Sequence, residues 1–163
     1  MGGLREAGTG GLDIDGNNLQ LSYPPQIPKA DISLNNQSTV NVNGDGAGDI
    51  RVEGSNVSIA GSSRISSNTI GIGKSGDITI DTGSFIAQEN SFIFSTSFLA
   101  SGRTGNITLK AKDSVNLFNR AGISTFAVGR GDGTTAGSGG NIFIETKDLN
   151  LQNGNILVST FLG

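Results

Sequence analysis

The chain has 163 residues, of which 34% are hydrophobic, 15% are charged and 26 are glycine, and its formal net charge is −3. It contains no cysteine and no histidine, which excludes disulfides, thiolate metal sites and any catalytic triad built on histidine. Because the chain is slightly acidic, it offers no basic field for nucleic acid. We therefore expect no nucleic-acid partner, no metal and no cofactor.

Residues 1–30 are the least regular part of the sequence. Alternating apolar residues at 12–14 and 19–21 predict short strands, and all three prolines fall within residues 23–29. Proline is confined to strand edges because it cannot donate a backbone hydrogen bond. We predict an irregular coil that leads into the repeats through a proline-containing junction, residues 1–30 in all.

Two carboxylates in this first segment hint at a calcium loop. Asp13 and Asp15 are followed by Gly16, but an EF-hand needs glycine at its sixth position and a carboxylate at its twelfth. Counted from Asp13, those positions hold Asn18 and Pro24. The preferred interpretation is a strand with Asp13 and Asp15 pointing outward.

Residues 31–163 are predicted to be tandem repeats. A landmark of Gly, then Asp or Asn, then Ile recurs, and its coils begin near residues 48, 76, 105 and 140. The spacings between landmarks are 28, 29 and 35 residues. Each landmark begins a segment in which apolar and polar residues alternate. Two more segments of this kind follow after short turns, as at 57–59 and 65–67.

Such short strands cannot bury an apolar face alone, but they can when coils stack. The repeat therefore predicts an all-β parallel solenoid with three short strands per coil. Isoleucines of successive landmarks should form a buried column, with Ser, Thr, Arg and Lys on the outward positions. The column comprises Ile50, Ile78, Ile107 and Ile142.

The polar residue of each landmark is expected to stack at one corner of the coil. A short side chain there can bond local backbone amides, after a glycine that can take positive φ. We interpret this corner ladder as architectural. Its members are Asp49, Asp77, Asn106 and Asn141.

Arg130, Gly131 and Asp132 form an RGD tripeptide in the Gly-rich loop 129–139. A loop of this kind is where a cell-surface receptor would be recognised, so these three residues are the candidate binding site. Three residues carry little specificity, and an ordinary loop is the plainer interpretation.

Five phenylalanines cluster at the third strand of the repeats and the turn after it: Phe92, Phe94, Phe98, Phe126 and Phe161. The favoured prediction is aromatic stacking inside the coils. The alternative is an exposed apolar stripe suited to a partner surface or a glycan.

The repeat phrases at 76–84, 105–115 and 139–146 resemble the repeat region of filamentous haemagglutinin-like exoproteins of the two-partner secretion family. The resemblance covers roughly residues 10–163. It implies a right-handed parallel β-helix and export of the full-length parent through an outer-membrane transporter. It also implies an extracellular or cell-surface location, often with adhesion to a host or neighbouring-cell glycan or protein.

The sequence lacks a counterpart of the signal peptide and amino-terminal secretion domain that the resemblance implies. Residues 159–163 resemble 95–102, the stretch before a new coil. We therefore expect the chain to be a piece of a longer solenoid, open at its C-terminal end.

The expected function is that of a non-catalytic, adhesin-like segment acting as a rigid spacer and display surface. The alternative from another class is a polysaccharide lyase or glycosidase, which would need two close carboxylates in a groove. Asp49 and Asp77 are near enough in the predicted stack, but only as ladder members. A third alternative is an inert truncated fragment whose open ends aggregate.

Overall fold

The computed structural model describes residues 11–15, 18–22, 28–98, 102–129 and 137–161. The regular structure of these residues is entirely β-strand. Most strands lie in two parallel sheets whose strands come from successive coils. The predicted all-β parallel solenoid is confirmed.

The first two strands do not belong to either of the parallel sheets. Strand β1 (Gly11–Asp15) pairs antiparallel with β2 (Asn18–Ser22), and together they form a separate two-stranded sheet. Both predicted alternating segments are thus strands. They pair as a hairpin, however, which differs from the irregular coil expected for this part of residues 1–30.

The remaining strands follow one another coil by coil. The first coil has β3 (Ile32–Leu34) and β4 (Thr39–Asn41), and the second has β5 (Ile50–Glu53), β6 (Asn56–Ile59) and β7 (Arg64–Ile70). The third has β8 (Ile78–Ala87) and β9 (Phe92–Phe98), and the fourth has β10 (Ile107–Phe118) and β11 (Gly122–Val128). The last described coil has β12 (Ile142–Glu145), β13 (Asp148–Gln152) and β14 (Asn155–Phe161).

The two sheets run along the length of the solenoid. In the first sheet, β3, β6, β8 and β10 are neighbours in that order, with β5 also paired to β8 and both β12 and β13 paired to β10. The second sheet has the order β4, β7, β9, β11 and β14.

Three strands per coil occur in the second and last coils. In the third and fourth coils the first two strands merge into β8 and β10, with a register irregularity between Ala111 and Ser114. The prediction was two separate strands at this place in every coil. The strands are continuous here because the backbone stays hydrogen-bonded to the neighbouring coil through the first bend.

The isoleucine column is in register. Ile78 pairs with Ile50 on one side and Ile107 on the other, and Ile107 pairs with Ile142. Ile78 and Ile107 are fully buried. Adjacent strands lie about 4.8 Å apart, and burying each such side chain stabilises the fold by roughly 1.5–3 kcal/mol.

One inward column is polar, which the prediction of a purely apolar interior did not include. Ser67, Ser95 and Thr125 are in register and fully buried. Their hydroxyls bond the backbone of the glycine corner: the Gly105 amide donates to Ser95 Oγ at 3.2 Å, and Thr125 Oγ1 donates to the Gly140 carbonyl at 3.0 Å. Hydrogen bonding offsets the desolvation of these buried hydroxyls.

The glycines of the corner serve close packing. Among the described glycines, positive φ is confined to Gly61 and Gly71, so the positive φ expected at the corner is wrong. A methyl carbon at Gly76, Gly105 or Gly140 would instead overlap the carbonyl oxygen of the glycine in the coil before it. Stacked backbones therefore exclude a side chain at Gly76, Gly105 and Gly140.

Candidate functional site

The corner ladder binds one coil to the next. The Oδ1 atom of Asp49 accepts a hydrogen bond from the Asp77 backbone amide at 2.7 Å, and Asp77 Oδ1 accepts from the Asn106 amide at 2.7 Å. Asn106 Oδ1 accepts from the Asn141 amide at 2.9 Å. The ladder bonds reach the following coil rather than local amides, which gives these side chains a structural role.

The carboxylate of Asp77 is engaged by more than one donor. Asp77 Oδ1 accepts a second hydrogen bond, from the Asn106 side-chain amide at 3.3 Å. This oxygen therefore ties both the backbone and the side chain of the following coil to the ladder.

Glu53 lies in a small cluster of charged side chains. It forms ion pairs with Lys29, at 2.7 Å, and with Arg51. The hydrogen bond from Lys29 holds the pKa of Glu53 below its ordinary value, against the opposing effect of burial. A carboxylic general acid needs a raised pKa, whereas the pKa of Glu53 is lowered. We therefore interpret Lys29, Arg51 and Glu53 as an ion-pair cluster that links the first two coils. Within the described ranges, no three His, Cys, Asp or Glu side chains are grouped to hold a metal.

The predicted RGD site lies outside the described residues. Arg130, Gly131 and Asp132 fall between Gly129 and Gly137, the flanking residues that the structure does describe. Gly129 and Gly137 are both buried, and the Gly129 amide donates to the Phe161 carbonyl at 2.9 Å. The described chain on either side of the tripeptide is therefore held by the solenoid.

The clustered phenylalanines lie on the outer face of the second sheet. In β9, Ile93, Ser95 and Ser97 are fully buried, whereas Phe92, Phe94 and Phe98 occupy the alternate positions. Side chains at alternate positions of a strand point to opposite faces. The favoured prediction of stacking inside the coils is therefore wrong, and the exposed stripe is what the structure contains.

We refer to this surface as the phenylalanine face. It comprises the outward apolar residues of β7, β9, β11 and β14: Ile70, Phe92, Phe94, Phe98, Phe126, Val128, Leu157 and Phe161. One column of four is in register across the sheet, in the order Ile70, Phe98, Val128 and Phe161. With strands about 4.8 Å apart, the column spans roughly 14 Å.

The face is open to solvent at its edge. Ile70 is 68% exposed, Phe98 45% and Phe161 53%. Phe92, Phe94 and Phe126 are half-buried. Contiguous exposed apolar surface is a feature of interaction sites, so the phenylalanine face is the candidate binding surface.

Two polar atoms lie within this aromatic surface. Asn68 and Thr96 are register partners on the outward side of the sheet. Asn68 Oδ1 and Thr96 Oγ1 are buried and have no hydrogen-bond partner in the structure. Buried polar atoms normally have a partner, but both oxygens are covered by the protein itself, so a molecule on the outer face cannot reach them without a side-chain rearrangement.

The exposed column has a regular spacing in the sequence, which the prediction did not use. Ile70, Phe98, Val128 and Phe161 each lie five residues after an inward isoleucine of the same strand. An odd offset within a strand places a residue on the opposite face. The prediction missed this because it grouped the phenylalanines by their closeness in the sequence. It did not ask whether each lies an odd or an even number of residues from the buried isoleucine of its strand.

The chain matches no protein-family model, no curated protein and no solved structure. Among the described residues, no helix is long and apolar enough to cross a membrane. The function is therefore inferred from the geometry of the solenoid and its outer face.

Proposed function

We propose that this chain is a non-catalytic, adhesin-like β-solenoid segment, a rigid spacer that displays the phenylalanine face. The observation that supports the proposal is the in-register apolar column running across four strands, with Phe98 and Phe161 about half exposed. A stiff sheet holds these rings at fixed spacing, which reduces the ordering entropy that binding costs.

The proposed partner is a glycan or protein on a host or neighbouring cell. Aromatic rings pack against the apolar faces of sugar rings as well as against protein side chains. We place the protein outside the cell or on its outer surface. The resemblance to two-partner secretion exoproteins further favours export of the full-length parent by an outer-membrane transporter.

Binding of the purified chain to a glycan array and to whole cells tests this proposal. We expect Phe98→Ser combined with Phe161→Ser to weaken binding by about tenfold or more, because the variant loses the two exposed aromatic rings of the face and aromatic side chains carry much of the energy of an interface. Thermal melts should show that the variant stays folded, since both side chains are already about half exposed.

Phe143→Ser is the matched control. Phe143 is 54% exposed but belongs to β12 in the first sheet, away from the phenylalanine face. It should bind as the unchanged chain does. Equal binding by all variants, an absence of any binding, or release of shortened glycan products would overturn the proposal, the last in favour of the enzyme.

A further inference from the structure

Three segments of the chain match the acceptor signal for N-linked glycosylation, an asparagine followed by any residue but proline and then by serine or threonine. Because asparagine, serine and threonine are frequent in this chain, the signal gains meaning only from the structure around it. The three segments, which we call sequons, begin at Asn36, Asn56 and Asn106. The fold gives them different surroundings.

The sequon at Asn56 is part of a sheet. Asn56 is the first residue of β6, and its Nδ2 atom donates to Asp31 Oδ1 at 2.9 Å. The middle residue, Val57, is buried in register between Ile32 and Phe85. A modifying enzyme could bind this segment only after pulling Val57 out of the core.

The sequon at Asn106 is held in the same way. The Asn106 Nδ2 atom donates to Asp77 Oδ1 at 3.3 Å, as a member of the corner ladder. Ile107, the middle residue, is fully buried between Ile78 and Ile142. The folded solenoid therefore withholds this sequon as well.

The sequon at Asn36 lies on the turn between β3 and β4. Asn36 and Gln37 have positive φ angles of 56° and 62°, and both residues are exposed. The Ser38 amide donates to the Asn35 carbonyl at 3.2 Å, which closes the turn. No described residue forms a hydrogen bond with the side-chain amide of Asn36. An enzyme can therefore reach this amide in the folded protein.

The exposure of Asn36 comes from the turn and not from the position of its coil in the stack. The same turn recurs in the next three coils, where the residue in register with Asn36 also has positive φ. Backbone hydrogen bonds join the turns, because the Gln37, Ser62 and Asn90 amides each donate to a carbonyl of the following turn. The stacked residues are Asn36, Gly61, Glu89 and Asn119. Glu89 is exposed although a coil lies on each side of it, so this position points sideways from the solenoid.

We propose that Asn36 is the site at which the folded protein accepts an N-linked sugar. The Asn36 Nδ2 atom forms a bond to C1 of a sugar carried by a nucleoside diphosphate, and the bond between C1 and the phosphate oxygen breaks. Nδ2 loses one proton, and the nucleoside diphosphate leaves. The sugar nucleotide and a glycosyltransferase that recognises the sequon come from outside this chain. This modification does not depend on the binding role proposed for the phenylalanine face.

Incubation of the folded 163-residue chain with uridine diphosphate glucose and a soluble sequon-specific N-glycosyltransferase tests the proposal. Peptide mass mapping after trypsin should find one added hexose on the peptide 30–51, which contains Asn36, and none on the peptides 52–64 and 104–110. The same enzyme applied after tryptic digestion should modify all three peptides, because the fold then no longer holds the other two sequons. The comparison separates the effect of the fold from the preference of the enzyme.

Substitutions in the turn identify the acceptor. Asn36→Gln and Ser38→Ala should each abolish the added hexose, because one removes the acceptor and the other removes the hydroxyl that completes the sequon. Asn35→Gln and Ser38→Thr are the matched controls, since they alter the same turn but keep the sequon, and they should be modified as the unchanged chain is. Thermal melts show which variants are folded, and Ser38→Ala replaces Asn36→Gln if the latter is unfolded.

A folded chain that gains no hexose would overturn the proposal, whether or not the free peptide 30–51 accepts the sugar. Modification of Asn56 or Asn106 in the folded chain at a rate similar to that of Asn36 would also overturn it, because it would show that local opening of the strands, and not the turn, decides which sequon is used.

Discussion

Ile107→Asp is expected to unfold the solenoid. Ile107 is fully buried between Ile78 and Ile142, so a carboxylate there would have no water and no partner. An uncompensated buried charge costs about 3–5 kcal/mol, which is comparable with the whole stability of many domains. Far-ultraviolet circular dichroism and a urea titration should show loss of the β-sheet signal.

Thr108→Asp is the matched control for this substitution. Thr108 follows Ile107 in the same strand, is half-buried and points outward, in register with Thr79 and Phe143. We expect a change of less than about 1 kcal/mol in the free energy of unfolding. A folded, cooperatively melting Ile107→Asp protein would contradict the buried column.

Gly105→Ala is the second substitution with a large expected effect. A methyl group at Gly105 would overlap the carbonyl oxygen of Gly76, which is backbone and cannot rotate away. Relieving the clash would push two coils apart and strain the hydrogen bond from the Gly105 amide to Ser95 Oγ. We expect a loss of about 3 kcal/mol, seen as a fall in Tm of roughly 10 °C.

The same corner supplies the control for the glycine substitution. At Gly48, the first glycine of the column, the added methyl would meet only the Val42 Cβ atom, at 3.8 Å, an ordinary contact. Gly48→Ala should therefore change Tm little. Equal effects at Gly48 and Gly105 would indicate that chain entropy, and not the stacked backbone, explains the need for glycine.

The repeat spacing was sufficient to predict the solenoid and its isoleucine column. Each landmark places an isoleucine two residues after a glycine, so equal coil lengths bring Ile78 and Ile107 into register. Inserted residues in the last repeat do not disturb the pairing of Ile107 with Ile142, because they lie between β11 and β12. The fold follows from apolar periodicity, which the sequence displays directly.

Features that depend on contacts between coils were harder to predict. Glycine has two uses, positive φ and close backbone approach, and the sequence around Gly105 does not distinguish between them. The interior hydroxyls were assigned outward because serine and threonine are usually exposed. Ser95 and Thr125 are buried because the glycine corner offers them backbone partners.

The hairpin at the start of the described chain had a recognisable signal. Gly16 and Asn17 separate two five-residue strands, and a Gly-Asn pair between alternating segments is typical of a two-residue hairpin connection. The prediction extended the repeat pattern backwards instead. The local turn signal should have taken precedence, because antiparallel strands need only two residues between them whereas parallel strands need a longer connection.

The vertical registry of the coils is tested most directly by methyl NOE spectroscopy with isoleucine δ1 labelling. Successive strands lie about 4.8 Å apart, so we predict strong cross-peaks between Ile78 and Ile107 and between Ile107 and Ile142. The cross-peak between Ile78 and Ile142, two coils apart, should be absent or much weaker. If the two neighbouring pairs gave no cross-peaks, or if Ile78 and Ile142 gave one of equal strength, the parallel in-register stack would be contradicted.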